Sequence, residues 1–131
     1  MNVAQLVAEF GQRRGLHDLA LPPRGPVVFS SDNSGSLLLE AEQEDLLLYA
    51  LVPAPYVEPQ AVLPLLQAVD LRRQSPQAWP VQVGGRGQGA DFVLMLLVRL
   101  TEAQLNVQAL EDALAGLLRL KQEHATFGVT P

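Results

Sequence analysis

The sequence predicts an α+β fold, an antiparallel sheet packed with helices in the order α-β-β-β-α-β-β-α. Three observations carry this expectation. Apolar residues recur at helical spacing near both ends and in the middle of the chain. Between those stripes lie the short segments Leu37-Leu38-Leu39, Leu46 to Val52 and Phe92 to Val98, which are apolar at nearly every position. Turn-forming residues divide them into hairpins. A strand with one wet face alternates apolar and polar residues, whereas these do not, so both faces of the sheet demand cover.

The elements follow in order. Val3, Leu6, Val7 and Phe10 stand at i, i+3, i+4 and i+7, one stripe of a helix from about Asn2 to Arg14. Gly15 is a C-terminal stop. Pro22, Pro23 and Pro26 then exclude a helix from the linker and lead into a strand at Val27 to Ser30. Asp32 to Gly35 reads as a turn and Ser36 to Ala41 as the second strand. Polar Glu42 to Asp45 reverses the chain into a third strand, Leu46 to Val52, which Pro53 and Pro55 end.

Pro59 suits the first turn of a second helix whose stripe is Val62, Leu65, Leu66 and Val69, with Pro64 shortening or kinking it. Trp79 to Val83 reads as the fourth strand and Asp91 to Leu100 as the fifth, joined by the glycine-rich loop Gly84 to Gly89. Asn106 is a fair N-cap for a last helix with the stripe Val107, Leu110, Leu114, Leu117 and Leu118, ended by Gly128. No internal repeat or second domain is evident, and the expectation is one domain over residues 1–131.

Composition narrows the function. The hydrophobic share is 48% before the 10 glycines are added, and only 18% of residues are charged. Ordinary globular domains have about 45–50% apolar residues including glycine and about 25% charged ones, so the solvating shell is thin and a shared face is favoured. Fourteen acids oppose nine bases, and the bases are scattered rather than gathered into a nucleic-acid footprint. Cysteine is absent, which excludes thiolate metal sites, disulfides and cysteine nucleophiles. The first residues lack a secretory signal pattern, and no apolar run approaches the ~20 residues of a membrane span. A soluble cytoplasmic protein is expected.

Candidate catalytic groups fail on context. Gly84 to Ala90 contains a G-x-G-x-x-A match, but it feeds a strand, whereas a dinucleotide fingerprint opens a helix. His17-Asp18 beside Ser30, Ser31, Ser34 or Ser36 lacks a nucleophile elbow. His124 suits a helix C-terminus, and two isolated histidines make no metal site. Glu44-Asp45 and Glu111-Asp112 read as a turn and a helix face. No catalytic residue, cofactor or metal is expected. Trp79, the single tryptophan, beside Pro80 suits either an edge-strand interface or the rim of the core.

The ordered pattern resembles the class I chaperones of bacterial type III secretion, the Tir chaperone family. It rests on the opening helix with Leu6, Phe10, Gly15 and Leu16, then Leu19-Ala20-Leu21, Gly25 and Phe29. Leu37 to Glu40, Leu46 to Leu48, Leu63-Pro64-Leu65-Leu66, Val81, Val83, Val93 to Leu100 and the leucine-rich last helix complete it. The resemblance implies a homodimer that holds the N-terminal segment of a secreted effector in an extended, non-globular state without ATP.

By the same resemblance, the dimer interface falls on Leu63, Leu66 and Val69 of the middle helix and on Trp79, Val81 and Val83. Val3, Leu6, Phe10, Leu38 and Leu48 are the expected effector contacts. One departure stands out: after the middle helix the family commonly has Asn where this chain has Asp70. Two other readings stay open, a regulator of the same fold that sequesters a secretion regulator, and a small-ligand-binding α+β domain.

Overall fold

Each long helix begins where a polar cap meets an apolar stripe. In the computed structural model, which describes residues 2–16, 19–31, 35–70 and 79–124, helix α1 spans Val3–Arg13. The Asn2 side chain accepts a hydrogen bond from the Gln5 amide at 2.8 Å, and the Gln5 side chain accepts one from the Asn2 amide at 3.1 Å. This reciprocal box satisfies two amides that lack helical partners. Gly15, at φ +73°, takes the left-handed conformation that ends the helix.

Helix α2 spans Pro59–Ala68 with proline at its start, and α3 spans Val107–Glu123, where the Asn106 side chain accepts from the Ala109 amide. The strands are β1 (Val27–Ser31), β2 (Gly35–Glu42), β3 (Asp45–Pro53), β4 (Gln82–Arg86) and β5 (Val93–Leu100). Their order across the sheet is β1-β2-β3-β5-β4, antiparallel throughout. The expected α-β-β-β-α-β-β-α order is therefore the observed one, with β1 and β4 as the two edges.

The first three strands differ from expectation by one residue at one or both ends, and the last two differ more. The fourth strand runs from Gln82 to Arg86, so Trp79 and Val81 precede it and Gly84 and Gly85 lie inside it. Opposite long apolar β5, a strand without side chains at those two positions still forms, because the ladder bonds come from backbone. The fifth strand begins at Val93, since residues Gly89–Asp91 form a single 3-10 turn. Residues 32–34 of the expected turn, the His17-Asp18 pair and the stop at Gly128 lie outside the described residues, while Gly35 opens β2.

Parity decides which leucines enter the core. On one face of the sheet, Leu37, Leu39, Leu46, Leu48, Ala50, Val52, Leu94, Leu96, Val98 and Leu100 are buried. They meet Val3, Leu6, Val7 and Phe10 of α1, Leu65 of α2, and Leu110, Leu114 and Leu117 of α3. All three helices contribute to this single layer. The opposite sheet face receives none of these helical residues.

The end of α1 is closed by a close backbone approach. The Leu16 amide donates to the Gly11 carbonyl at 2.6 Å, and a Cβ built on Gly11 would lie 2.6 Å from the Leu16 carbonyl oxygen. Alanine is the better helix former by roughly 0.8–1 kcal/mol, but the clash falls on backbone that cannot rotate away. Gly11→Ala is thus expected to lower stability by about 1–3 kcal/mol, read as a fall in the denaturant midpoint. An unchanged or raised midpoint would refute this account of the turn.

Candidate partner-binding surface

The unshielded face of the sheet is built by the residues that alternate with the core positions. Register places Val28, Leu38, Tyr49, Leu97 and Gln82 in one row across the strands. The next row brings Leu51, Met95 and Gly84 together, and beyond it Pro53, Val93 and Arg86 align. Val28 is 56% exposed, while Leu38, Tyr49, Leu51, Val93, Met95 and Leu97 are half-buried. A groove of about 590 Å³ crosses this field, lined by Leu38, Tyr49, Leu51, Val93 and Met95 with Glu40, Arg86 and Asp91 at its margins.

Charge closes one end of the field. Leu47, directly across from Glu40 and Arg99, is only 3% exposed although it lies on the outer face. Arg99 donates to Asp45 at 2.8 Å and to Glu42 at 3.0 Å, joining β5 to both ends of the β2–β3 turn. The other Asp45 oxygen accepts from the Glu102 amide at 3.0 Å. Burial first, then the Glu40 and Glu42 carboxylates, push the Tyr49 phenol above its ordinary range, with Arg99 opposing them. The ring therefore faces the groove as a neutral hydroxyl.

The expected effector contacts divide. Leu38 lies on the open face. Val3, Leu6, Phe10 and Leu48 are instead in the chain's own core, at 7% exposure for Val3 and none for the others. A partner reaches those four only by displacing core. Tyr49, Leu51, Val93, Met95 and Leu97 complete the open face and were missed by sequence reasoning. A signal existed: Glu40, Asp45 and Arg99 share the parity of these positions in β2, β3 and β5, and their charges mark the outward side.

The expected dimer residues occupy another region. Leu63 and Leu66 of α2 are 51% and 47% exposed, whereas Val69, Trp79, Val81 and Val83 are half-buried against the core. They lie along α2 and the β4 edge. Beside them, Tyr56, Val57, Pro59, Val62, Val83, Gly85 and Phe92 line a second groove of about 440 Å³. Asp70 follows α2, its amide donating to the Gln67 carbonyl at 3.3 Å. Among the described residues no cluster of three metal-ligating side chains occurs, and no helix is long and apolar enough to cross a membrane.

This arrangement, five antiparallel strands in the order 1-2-3-5-4 with helices on one side, is the fold of type III secretion chaperones. The chain is similar to a chain of the ExsC–ExsE complex, with a TM-score of 0.73, 24% identity and full coverage of both chains. It is also similar to a chain of the structure of the Yersinia pestis type III secretion chaperone SycH with a fragment of YscM2. That match has a TM-score of 0.69 and 16% identity over 95% of this chain and 98% of the other. A chain of the HopA1–SchA chaperone–effector complex matches with a TM-score of 0.67 and 22% identity over 92% and 91% of the two chains. No family model and no curated protein matches the sequence.

Glu102 supplies a pH test of the charged corner. The hydrogen bond it shares with Glu44, followed by that carboxylate's charge, raises its pKa. A carboxyl raised in the folded state contributes stability below its ordinary range, and that contribution is lost as pH rises through the raised value. Glu102→Gln is therefore expected to raise the melting temperature at neutral pH and to flatten the gain that the parent shows on mild acidification. Parallel melting curves for the two proteins at every pH would contradict this.

Proposed function

We propose that this protein is a cytoplasmic, non-enzymatic chaperone of type III secretion. It binds the N-terminal segment of a secreted effector in a non-globular state and keeps it competent for export without ATP. The observation that carries the reading is the apolar outer face of the sheet, left uncovered by the chain's own helices in a fold shared with chaperone–effector complexes. Each leucine-sized side chain buried there contributes roughly 1.5–3 kcal/mol before ordering costs. Four or five anchors are enough to hold an unfolded segment.

The backbone decides what form the segment takes at each place. β2, β3 and β5 are hydrogen-bonded on both sides, so the middle of the face offers no backbone partners. A segment lying across it must satisfy its own amides and carbonyls, which a helix does. The outer edge of β1, which pairs with no further strand among the described residues, suits extended chain by strand addition. A wrapped client therefore alternates extended and helical stretches without forming a globule.

A second copy is proposed against α2 and the β4 edge, where Leu63 and Leu66 stand exposed beside Val69, Trp79, Val81 and Val83. Leu63→Glu combined with Leu66→Glu is expected to convert a dimer to a monomer in light scattering, with the melting curve retained. A parent protein that is already monomeric at micromolar concentration would remove the dimer from this reading.

The function itself is tested on the face. Co-expression with the effectors of the native cell, followed by sequencing of the co-purified chain, is expected to return an effector N-terminal segment. Leu38→Asp, on a partly exposed position, is expected to weaken that complex at least tenfold while the circular dichroism spectrum stays unchanged. Retention of full affinity by Leu38→Asp, or recovery of a transcription regulator in place of an effector, would displace the proposal.

A further inference from the structure

The two ends of the apolar face are electrically unequal. At the end beside the β2–β3 turn, Glu40, Glu42 and Asp45 are opposed by Arg99 alone. Arg99 is engaged with Glu42 and Asp45. Glu40 makes no hydrogen bond or ion pair with the described residues, yet it is half-buried and lines the groove. At the other end, the lining includes one residue of each sign, Arg86 and Asp91. A carboxylate at the border of an apolar field, with the one cation at that end already engaged by two other carboxylates, is an open position for a cation.

We propose that Glu40 selects clients that carry a lysine or arginine at one end of an amphipathic helix, and so sets which way that helix lies on the sheet. This rests on the reading of the face as the client site. The long aliphatic stem of either residue packs on Leu38, which lines the groove, while its charged head reaches Glu40 and water. From the row of Leu47 to the row of Pro53 and Val93 the face extends ~20 Å at the rise of a strand. That distance holds about 13 residues of helix. With a cation at the turn end and neutral or balanced residues at the far end, only one orientation pairs Glu40.

A second copy of the chain is a poorer occupant. Two such faces related by a two-fold axis along the strands would bury both Glu40 carboxylates at one end, where Arg99 is already engaged. A basic client removes that cost.

The test uses the full chain and synthetic amphipathic peptides of about 14 residues, with leucine or methionine at i, i+3, i+4 and i+7. The peptides differ only at one end, which carries lysine, glutamine or glutamate. Binding is read by fluorescence anisotropy at low and at high salt. The lysine peptide is expected to bind about two- to fivefold tighter than the glutamine peptide, the advantage shrinking with salt as an exposed pair requires. Glu40→Gln is expected to erase that preference, and Glu40→Lys to transfer it to the glutamate peptide while the melting temperature is kept.

Equal binding of all three peptides, abolished by Leu38→Asp, overturns the role of Glu40 and leaves the apolar face as the client site. No binding of any peptide, or binding indifferent to Leu38→Asp, overturns both. Self-association that depends on Leu38 and excludes the peptides assigns the face to a second copy and also overturns the proposal.

Discussion

The whole arrangement depends on a mismatch between sheet and helices. β3 and β5 are largely apolar on both sides and β2 adds Leu38 to the outer one, while α1, α2 and α3 all contribute to one layer. Water cannot hydrogen-bond to the leucines of the outer side, and burying them against protein is favourable by roughly 25 cal/mol for each Å² of apolar surface. The covered side gives the chain its stability. The open side retains that same free energy as a capacity to bind.

The open face also constrains its occupant through what it withholds. Central strands with every ladder position filled have no spare donors or acceptors, so only apolar side chains and the charged margin are available to a partner. The outer edge of β1 is the reverse, rich in backbone groups, and β4 is poor in side chains at Gly84 and Gly85. Recognition is thereby split between side-chain chemistry on the face and backbone chemistry at the rim. A partner that used both would meet a larger surface than either groove alone.

The element order was legible because each signal was local. Val3, Leu6, Val7 and Phe10 mark α1, Pro59 and Asn106 start α2 and α3, and the apolar runs mark β3 and β5. The site was less legible, because a strand that is leucine at every position has no internal parity. Leu48 and Leu38 look alike in sequence, yet the first is in the core and the second lines the groove. Only the charged residues at strand ends carried the facing, and they are few. Val3, Leu6 and Phe10 form the strongest amphipathic stripe at the N-terminus, and for that reason they went into the chain's own core. The β4 boundary was missed because glycine in a strand contributes backbone bonds and nothing to a hydropathy pattern.

Leu47 shows how the molecule treats apolar surface that it does not intend to share. Flanked by Glu40 and Arg99, it is closed off at 3% exposure, while Leu38 two residues from Glu40 is left in contact with solvent. A surface finished at one margin and unfinished in its centre ties the solubility of the free molecule to occupancy. Left uncovered, the same leucines invite association between molecules as concentration rises.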